Sequence, residues 1–458
     1  MDIIMDSYNS KTYIDENNVL FEYWPTKSGV KIISVKAPKN VSTLNIPESV
    51  DGEKVTMLCP KFANSEKHIK EIVVPKMLEV LGESVFEDMK QLKSVILAEG
   101  IKDIGECCFR KCEGLENIQF PSTLNNIHKN AFEGCTSLKS VTLPQKVKTI
   151  YQFAFGSCEN LKHVDIGGTE KILNNAFQFC ENMETFICSE NLKCLYHGVF
   201  QGCSSLHSIS FAECVGLDVK SGAFMKSSIK EITLPNRGDL FNVSMASNGF
   251  WTYDGVEKYI IENPKTDCFT EDGIVYKRMS DDTLTMMRYP PSKKDTSYIS
   301  PANVERFGKY CFANNKFLSN VELSNVKAVG ALAFSKCCNL EKLKIYLNGC
   351  AIIPEGFAEG CQSLKKFKVP SGCTHIYFDA FSRCEKLKTV TIPESVIKIS
   401  DFAFVRNNNA PITFIVTPDS CAEKHCRNIH GAIVKYDNIT ALEDFLSELS
   451  ENSDTVIK

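Results

Sequence analysis

Leu138-Lys139-Ser140-Val141-Thr142-Leu143-Pro144-Gln145-Lys146-Val147-Lys148-Thr149-Ile150-Tyr151-Gln152-Phe153-Ala154-Phe155-Gly156-Ser157-Cys158 is one copy of a repeating unit, and the next copy begins at Leu161. Val141 and Leu143 alternate with Ser140 and Thr142, the period of a strand with one buried face. Pro144 ends that strand, because it has no N–H for a central ladder. Val147 and Ile150 sit three apart, as in a short helical turn or a tight loop. Ala154-Phe155 then inserts a small and a large side chain on the far side of the coil.

The phenylalanine keeps time along the chain. Phe62, Phe86, Phe109, Phe132, Phe155, Phe177, Phe200 and Phe224 are 22 to 24 residues apart; after a gap of 88, Phe312, Phe334, Phe357, Phe381 and Phe404 resume the same spacing. A fixed period of this length means stacked supersecondary units, each burying its apolar edge against its neighbours. The strand pairs recur with it, from Ile72/Val74 and Val95/Leu97 to Val390/Ile392 and Phe414/Val416. The Leu-x-x-Val-x-Leu strand is the signature of a leucine-rich repeat. The expected fold is a mainly β, right-handed repeat solenoid with a stacked parallel sheet. It has about thirteen repeats of 22–24 residues and is capped at both ends.

Ile104-Gly105 with Cys108-Phe109 and Cys112, Ala131-Phe132 with Cys135, and Ala380-Phe381 with Cys384 resemble the pattern of the BspA-like leucine-rich-repeat family. The resemblance covers roughly residues 30 to 435. It implies a surface protein associated with adhesion to host or matrix proteins, and the spacing itself says nothing about that role. One fold carries many functions.

Expected organisation along the chain is as follows. Residues 1–50 form an N-terminal β cap, with short strands near Tyr13-Ile14, Val19-Leu20-Phe21 and Lys31-Ile32-Ile33. Residues 51–235 form a first repeat block. Residues 236–300 hold a β-hairpin insert around Asp272-Gly273 that joins or bends the solenoid. Residues 301–416 form a second block. Residues 417–458 supply a cap helix, N-capped by Asp419 or Ser420 with Glu423 as capping-box partner, followed by an acidic tail with helical spacing of Leu442, Phe445, Leu446 and Leu449.

Formal charge is −4 over 458 residues, with 43 % apolar content, so nothing pushes the chain towards nucleic acid or membrane as a whole. No stretch of 18 apolar residues exists to span a bilayer. The start, Met1-Asp2-Ile3-Ile4-Met5-Asp6-Ser7, lacks the basic and apolar regions of a secretory signal. The chain as written therefore reads as cytoplasmic, whereas the family resemblance implies the cell surface or secretion.

Twenty-one cysteines are present. Eight of them (Cys112, Cys135, Cys158, Cys180, Cys203, Cys337, Cys361 and Cys384) follow the repeat Phe by three or four residues. They can be disulfide or metal positions, or small buried thiols that fill a turn and donate weakly to carbonyls. The second reading is adopted here.

No P-loop, dinucleotide-binding, nucleophile-elbow or His-Glu-x-x-His motif is present, and neither an enzyme nor a cofactor is expected. Cys421, His425, Cys426 and His430 have the residue types of a metal site. Their two i, i+4 pairs lie about 140° apart around a helix, too far for one tetrahedral ion, and the expectation is an ordinary cap helix. The expected function is a protein-binding module, with an intracellular scaffold of the same fold as the alternative; its partner is a protein, acidic or glycan-bearing. Candidate binding residues are the outward-facing Lys342, Lys344, Lys366 and Lys368, expected to stack as one basic patch, together with Trp251 and Tyr253 of the insert.

Overall fold

The computed structural model describes residues 10–236, 252–262, 267–349, 352–406, 410–429 and 431–436. They form two compact units, Met1–Tyr253 and Asp254–Lys458. Each is a parallel β solenoid with almost no helix, and each coil presents three sides.

The first side is the expected strand. In the first unit Thr43–Asn45, Glu71–Val74, Ser94–Leu97 and Asn117–Gln119 pair in parallel, as do Ser140–Thr142, His163–Asp165 and Thr185–Ile187. Alternation decides which face is buried: Val141 is 1 % exposed while Ser140 and Thr142 face out. Pro75 follows its strand directly, and Pro121 and Pro144 come one residue later after theirs.

The second side differs from the expected helical turn or loop. Val147 sits in a turn, its N–H donating to the Pro144 carbonyl at 3.2 Å. Thr149–Ile150, however, is a two-residue strand. It belongs to a seven-stranded parallel ladder running from Val80–Leu81 through Asp103–Ile104, Asn126–Ile127, Lys171–Ile172 and Cys194–Leu195 to Asp218–Val219. Its inward residues, Leu81 to Val219, are fully buried.

The third side carries the phenylalanine. Its N–H reaches to the next coil: Phe109 to Ala131 O at 2.7 Å, Phe132 to Ala154 O at 2.7 Å, Phe155 to Ala176 O at 2.9 Å. The residues two before and two after most of these Phe adopt left-handed φ, as in Cys107 and Lys111 (56° and 59°) and Asn175 and Phe179 (60° and 59°). That conformation disfavours most side chains. Here each such N–H also donates to the next coil, for example Lys111 to Glu133 O at 2.7 Å and Phe179 to Gln201 O at 2.7 Å. Three inter-coil bonds per coil hold this arc.

Inside the arc the rings form a column. Neighbouring centroids from Phe62 to Phe224 are 5.1 to 6.4 Å apart, within the range of favourable aromatic pairs. From Phe312 to Phe404 they are 4.8 to 5.8 Å apart. The thiols behave as small buried donors. Cys112 Sγ lies 3.0 Å from Phe86 O, Cys135 Sγ 3.1 Å from Phe109 O and Cys158 Sγ 3.2 Å from Phe132 O. Burial pushes the Cys112, Cys203 and Cys384 thiols up to about 12.

Both units begin alike. Lys11–Ile14, Leu20–Thr26 and Gly29–Lys36 form an antiparallel meander whose last strand pairs in parallel with Glu53–Leu58. Cys268–Glu271, Ile274–Arg278 and Leu284–Arg288 do the same, and the last pairs in parallel with Val304–Phe307. Asp272-Gly273, with φ of 49° and 77°, supplies the two positive φ values that a two-residue hairpin turn needs. At the other end of the second unit the helix Cys421–Cys426 is capped by Ser420. The Ser420 hydroxyl accepts from Glu423 N at 3.1 Å, and the Glu423 carboxylate accepts from Asp419 N at 2.7 Å.

Phe155→Ala should destabilise the protein by about 3–5 kcal/mol, while Thr142→Ala, on the outward face, should be nearly silent; equal shifts of the two urea midpoints would refute this register. Reagent labelling of the reduced native protein at mild alkaline pH should reach the exposed Cys338 and Cys421 first among the described cysteines, with the ladder thiols reacting only on unfolding. Rapid labelling of Cys135 or Cys158 in the native state would contradict the packing.

A third expectation concerns Glu87, 5 % exposed, between Lys61 Nζ at 3.0 Å and the Arg110 guanidinium. Burial alone would raise its carboxyl, but the hydrogen bonds from Lys61, Arg110 and Ser84 outweigh it and hold it below the usual value. A lowered folded value stabilises the ionised native state at neutral pH, and that contribution is lost as pH falls through it. The stability difference between wild type and Glu87→Gln should therefore be largest near pH 7 and shrink below about pH 4. A pH-independent difference in urea titrations would refute the ion-pair account.

Candidate binding surface

The strands of the first side turn alternate residues outward, so their face is set by the same alternation that fills the core. In the first unit it carries Asn117/Gln119, Ser140/Thr142, His163/Asp165, Thr185/Ile187 and Ser208/Ser210, nearly all exposed. It is small, neutral and nearly uncharged. The residues just before these strands carry the charge. Glu116 pairs with Lys93 at 3.6 Å and Lys139 at 2.7 Å, and Lys162 pairs with Glu184 at 2.9 Å. Exposed pairs of this kind contribute at most about 1 kcal/mol, but they balance charge between coils.

In the second unit the face changes. Lys342, Lys344, Lys366 and Lys368 are all exposed, flanking the buried Leu343 and Phe367. The preceding Glu341 and Lys365 pair with each other at 2.9 Å. None of the four face lysines is ion-paired with a described carboxylate. Glu322 stands opposite Lys344 in the register, and Thr389 and Thr391 stand opposite Lys366 and Lys368. Outwards from the lysines the face is therefore mixed on one side and neutral on the other.

The four lysines are on neighbouring coils whose strands touch but fall in different sheets. Lys342–Leu347 is the last strand of a sheet made with Ser297–Ile299 and Asn320–Val326; Lys366–Lys368 opens a different sheet with Thr389–Ile392, Thr413–Val416 and Ile433–Tyr436. The strands also differ in length. Neither Asn320–Val326 nor Lys342–Leu347 has a proline to stop it, and both run to six or seven residues. The next strand is cut short by Pro370. Where the long strand has no partner, a cleft opens. Leu343, Lys344, Ile345, Tyr346 and Leu347 line one wall, with Lys368, Pro370 and Ser371 on the other, around about 550 Å³. Sequence reading found the lysines but missed Tyr346, Leu347 and Pro370. The signal was the missing proline after Ile345.

Tyr253 is used within the first unit. Its hydroxyl donates to Ser227 O and Ile229 O, both at 3.0 Å, and its ring lies 5.7 Å from Phe224, the last ring of that column. Packing on the final coil accounts for these contacts. Trp251 lies outside the described residues. Among Cys421, His425, Cys426 and His430, the Cys421 thiol donates to Ile397 O at 3.0 Å, Cys426 is fully buried, and His430 lies outside the described residues. Among the described residues no group of three or more Cys, His, Asp or Glu side chains is placed to hold a metal. Among them, too, no helix is long and apolar enough to cross a membrane.

A second exposed feature went unread in the sequence. Tyr377, Phe378 and Phe402 are 44 %, 45 % and 53 % exposed, and the two Phe rings are 5.3 Å apart. They interrupt no repeat position, so periodicity gives no sign of them.

Comparison with known proteins agrees with this architecture. The chain matches the BspA type leucine-rich repeat region in six copies, over residues 59–184, 149–248 and 292–411. It is similar to the solved structure of a leucine-rich cell surface protein from Faecalibacterium prausnitzii, with 23 % identity, a TM-score of 0.48, and 94 % of this chain and 96 % of that one covered. It is also similar to a leucine-rich repeat protein from Bacteroides ovatus (20 % identity, TM-score 0.47, 93 % and 99 % covered). A third likeness is to the pneumococcal vaccine antigen PcpA (16 % identity, TM-score 0.37, 93 % and 98 % covered). No curated protein matches. With matched repeats over more than half its length, a Phe column and a parallel strand ladder, the chain belongs to the BspA type leucine-rich-repeat family.

Proposed function

We propose that this chain is a non-enzymatic protein-binding module whose basic outward face in the second unit receives an acidic protein partner. The observation that supports it is the set of four exposed lysines on neighbouring coils, Lys342, Lys344, Lys366 and Lys368, none of them ion-paired with a described carboxylate. Like charges side by side repel and gain nothing for the fold, so they fit a surface kept for a partner. Repeat solenoids offer extended surfaces of this kind. The setting is adhesion or contact with host or matrix proteins, at the cell surface or after secretion, as the family resemblance implies.

An intracellular scaffold is the second reading. The ladder thiols favour it, since they are buried donors to carbonyls rather than partners of one another, as befits a reducing compartment. Thiol counting on non-reduced native material separates the two: near-complete free thiol supports the scaffold, and many disulfides support export.

Changing all four lysines to Glu should abolish binding of the partner recovered from the native compartment and leave the urea midpoint close to wild type. Wild-type affinity should fall as salt rises, because charges are screened beyond about 8 Å at physiological ionic strength. A partner whose affinity ignores both the salt and the quadruple change would refute the lysine face as its site.

A further inference from the structure

We infer that the cleft between Lys342–Leu347 and Lys366–Lys368 is the specificity pocket of this face, and that it takes an extended segment of the partner in which an apolar side chain is flanked by Asp or Glu. The inference rests on the proposed lysine-face reading and adds what charge alone does not provide.

Three observations converge on it. The first is an unpartnered edge. Lys342–Leu347 pairs with Asn320–Val326 on one side and with no described strand on the other. The phenylalanine arc continues there, with Leu332, Phe334 and Lys336 donating to Glu355, Phe357 and Glu359 at 2.7 to 2.9 Å. A free edge at a sheet lapse is a template for an added strand.

The second observation is the cleft's lining. Leu343 and Ile345 are 5 % and 9 % exposed, Tyr346 is 52 % exposed, and Leu347 and Pro370 add apolar surface. Its volume of about 550 Å³ lies within the range of sites that enclose a ligand group. An apolar side chain entering it would be taken out of water.

The third is charge at the rim. Lys344 and Lys368 stand on opposite walls, with Lys342 and Lys366 beyond them. An extended chain alternates its side chains. A segment with its apolar residue in the cleft therefore has its neighbours turned away from it, towards the walls and solvent where the lysine ammonium groups lie. Carboxylates meet that arrangement, and basic residues are repelled by it. The occupant is thus an acidic polypeptide with an apolar anchor.

The test is selection of a random twelve-residue peptide display library on the immobilised full-length chain, followed by anisotropy measurements with the enriched peptides. Enriched sequences should carry an aromatic or large aliphatic residue flanked by Asp or Glu. Replacing that residue by Ala should weaken binding about tenfold or more. Ser371→Trp, an exposed site on the cleft wall, should fill the cleft and cause a similar loss; Tyr346→Ala, also exposed, is a second variant that keeps the fold. Lys344→Glu with Lys368→Glu should abolish binding altogether. If acidic peptides without any apolar preference emerge, sensitive to the lysine changes and indifferent to Ser371→Trp, the cleft is refuted while the lysine face stands. If no acidic enrichment emerges, both readings fail. Self-association of the chain that Ser371→Trp removes would make a second copy the occupant and overturn the assignment to another protein.

Discussion

Everything in this molecule depends on backbone donors that point along the stack. A coil of about 23 residues cannot satisfy its own N–H groups or bury its own phenylalanine. It hands both to the next coil. Phe109 N–H goes to Ala131 O and Phe132 N–H to Ala154 O, while the rings stack face to face behind them. An unmet buried backbone donor is costly, so one coil's geometry commits its neighbour's. That constraint explains why left-handed φ is tolerated at Cys107, Lys111 and Phe153. The strain at each is offset by a hydrogen bond that only this conformation aims at the following coil.

The same logic explains the starts of the units. A first coil's edge backbone groups are unpaired unless another strand supplies their partners. In both units an antiparallel meander covers them and then turns parallel to the first coil. Asp51-Gly52 and Asp272-Gly273, each with two positive φ values, make the tight reversals that antiparallel strands require and parallel coils do not.

Much of this was legible in the sequence, and the exceptions have physical causes. Val141 and Leu143 announce a strand because alternation and Pro144 agree. Phe155 announces the column because nothing else recurs so regularly. Thr149–Ile150 gives no warning of its ladder, since two residues are too few to show a period. The left-handed arc is only partly signalled, because Gly134, Gly198, Gly202 and Gly222 occupy its positions in some coils while Lys111, Asn175 and Phe179 hold the same conformation in others. The four lysines were found as outward residues of their strands. Their separation onto two sheets was not, because the hydrogen bonding that divides the sheets leaves no mark in the alternation of side chains. Tyr253 was read as a candidate binding residue of the insert, and its hydroxyl bonds to the Ser227 and Ile229 carbonyls, which no sequence pattern signals.

The lapse beside Leu347 has a mechanical meaning. Elsewhere in the second unit, adjacent coils are laced on more than one side, as Lys366–Lys368 is to Thr389–Ile392 and His375–Ile376 to Lys398–Ile399. At the junction after Leu347 the strands Lys342–Leu347 and Lys366–Lys368 are not paired with each other, and there the ring of Phe357 meets Phe334 edge-on at 70° instead of lying flat on it. Tension applied along the stack would concentrate on that seam, which would part before its neighbours. An occupant bridging the two walls would stitch it, so that a bound partner stiffens the solenoid at its softest joint.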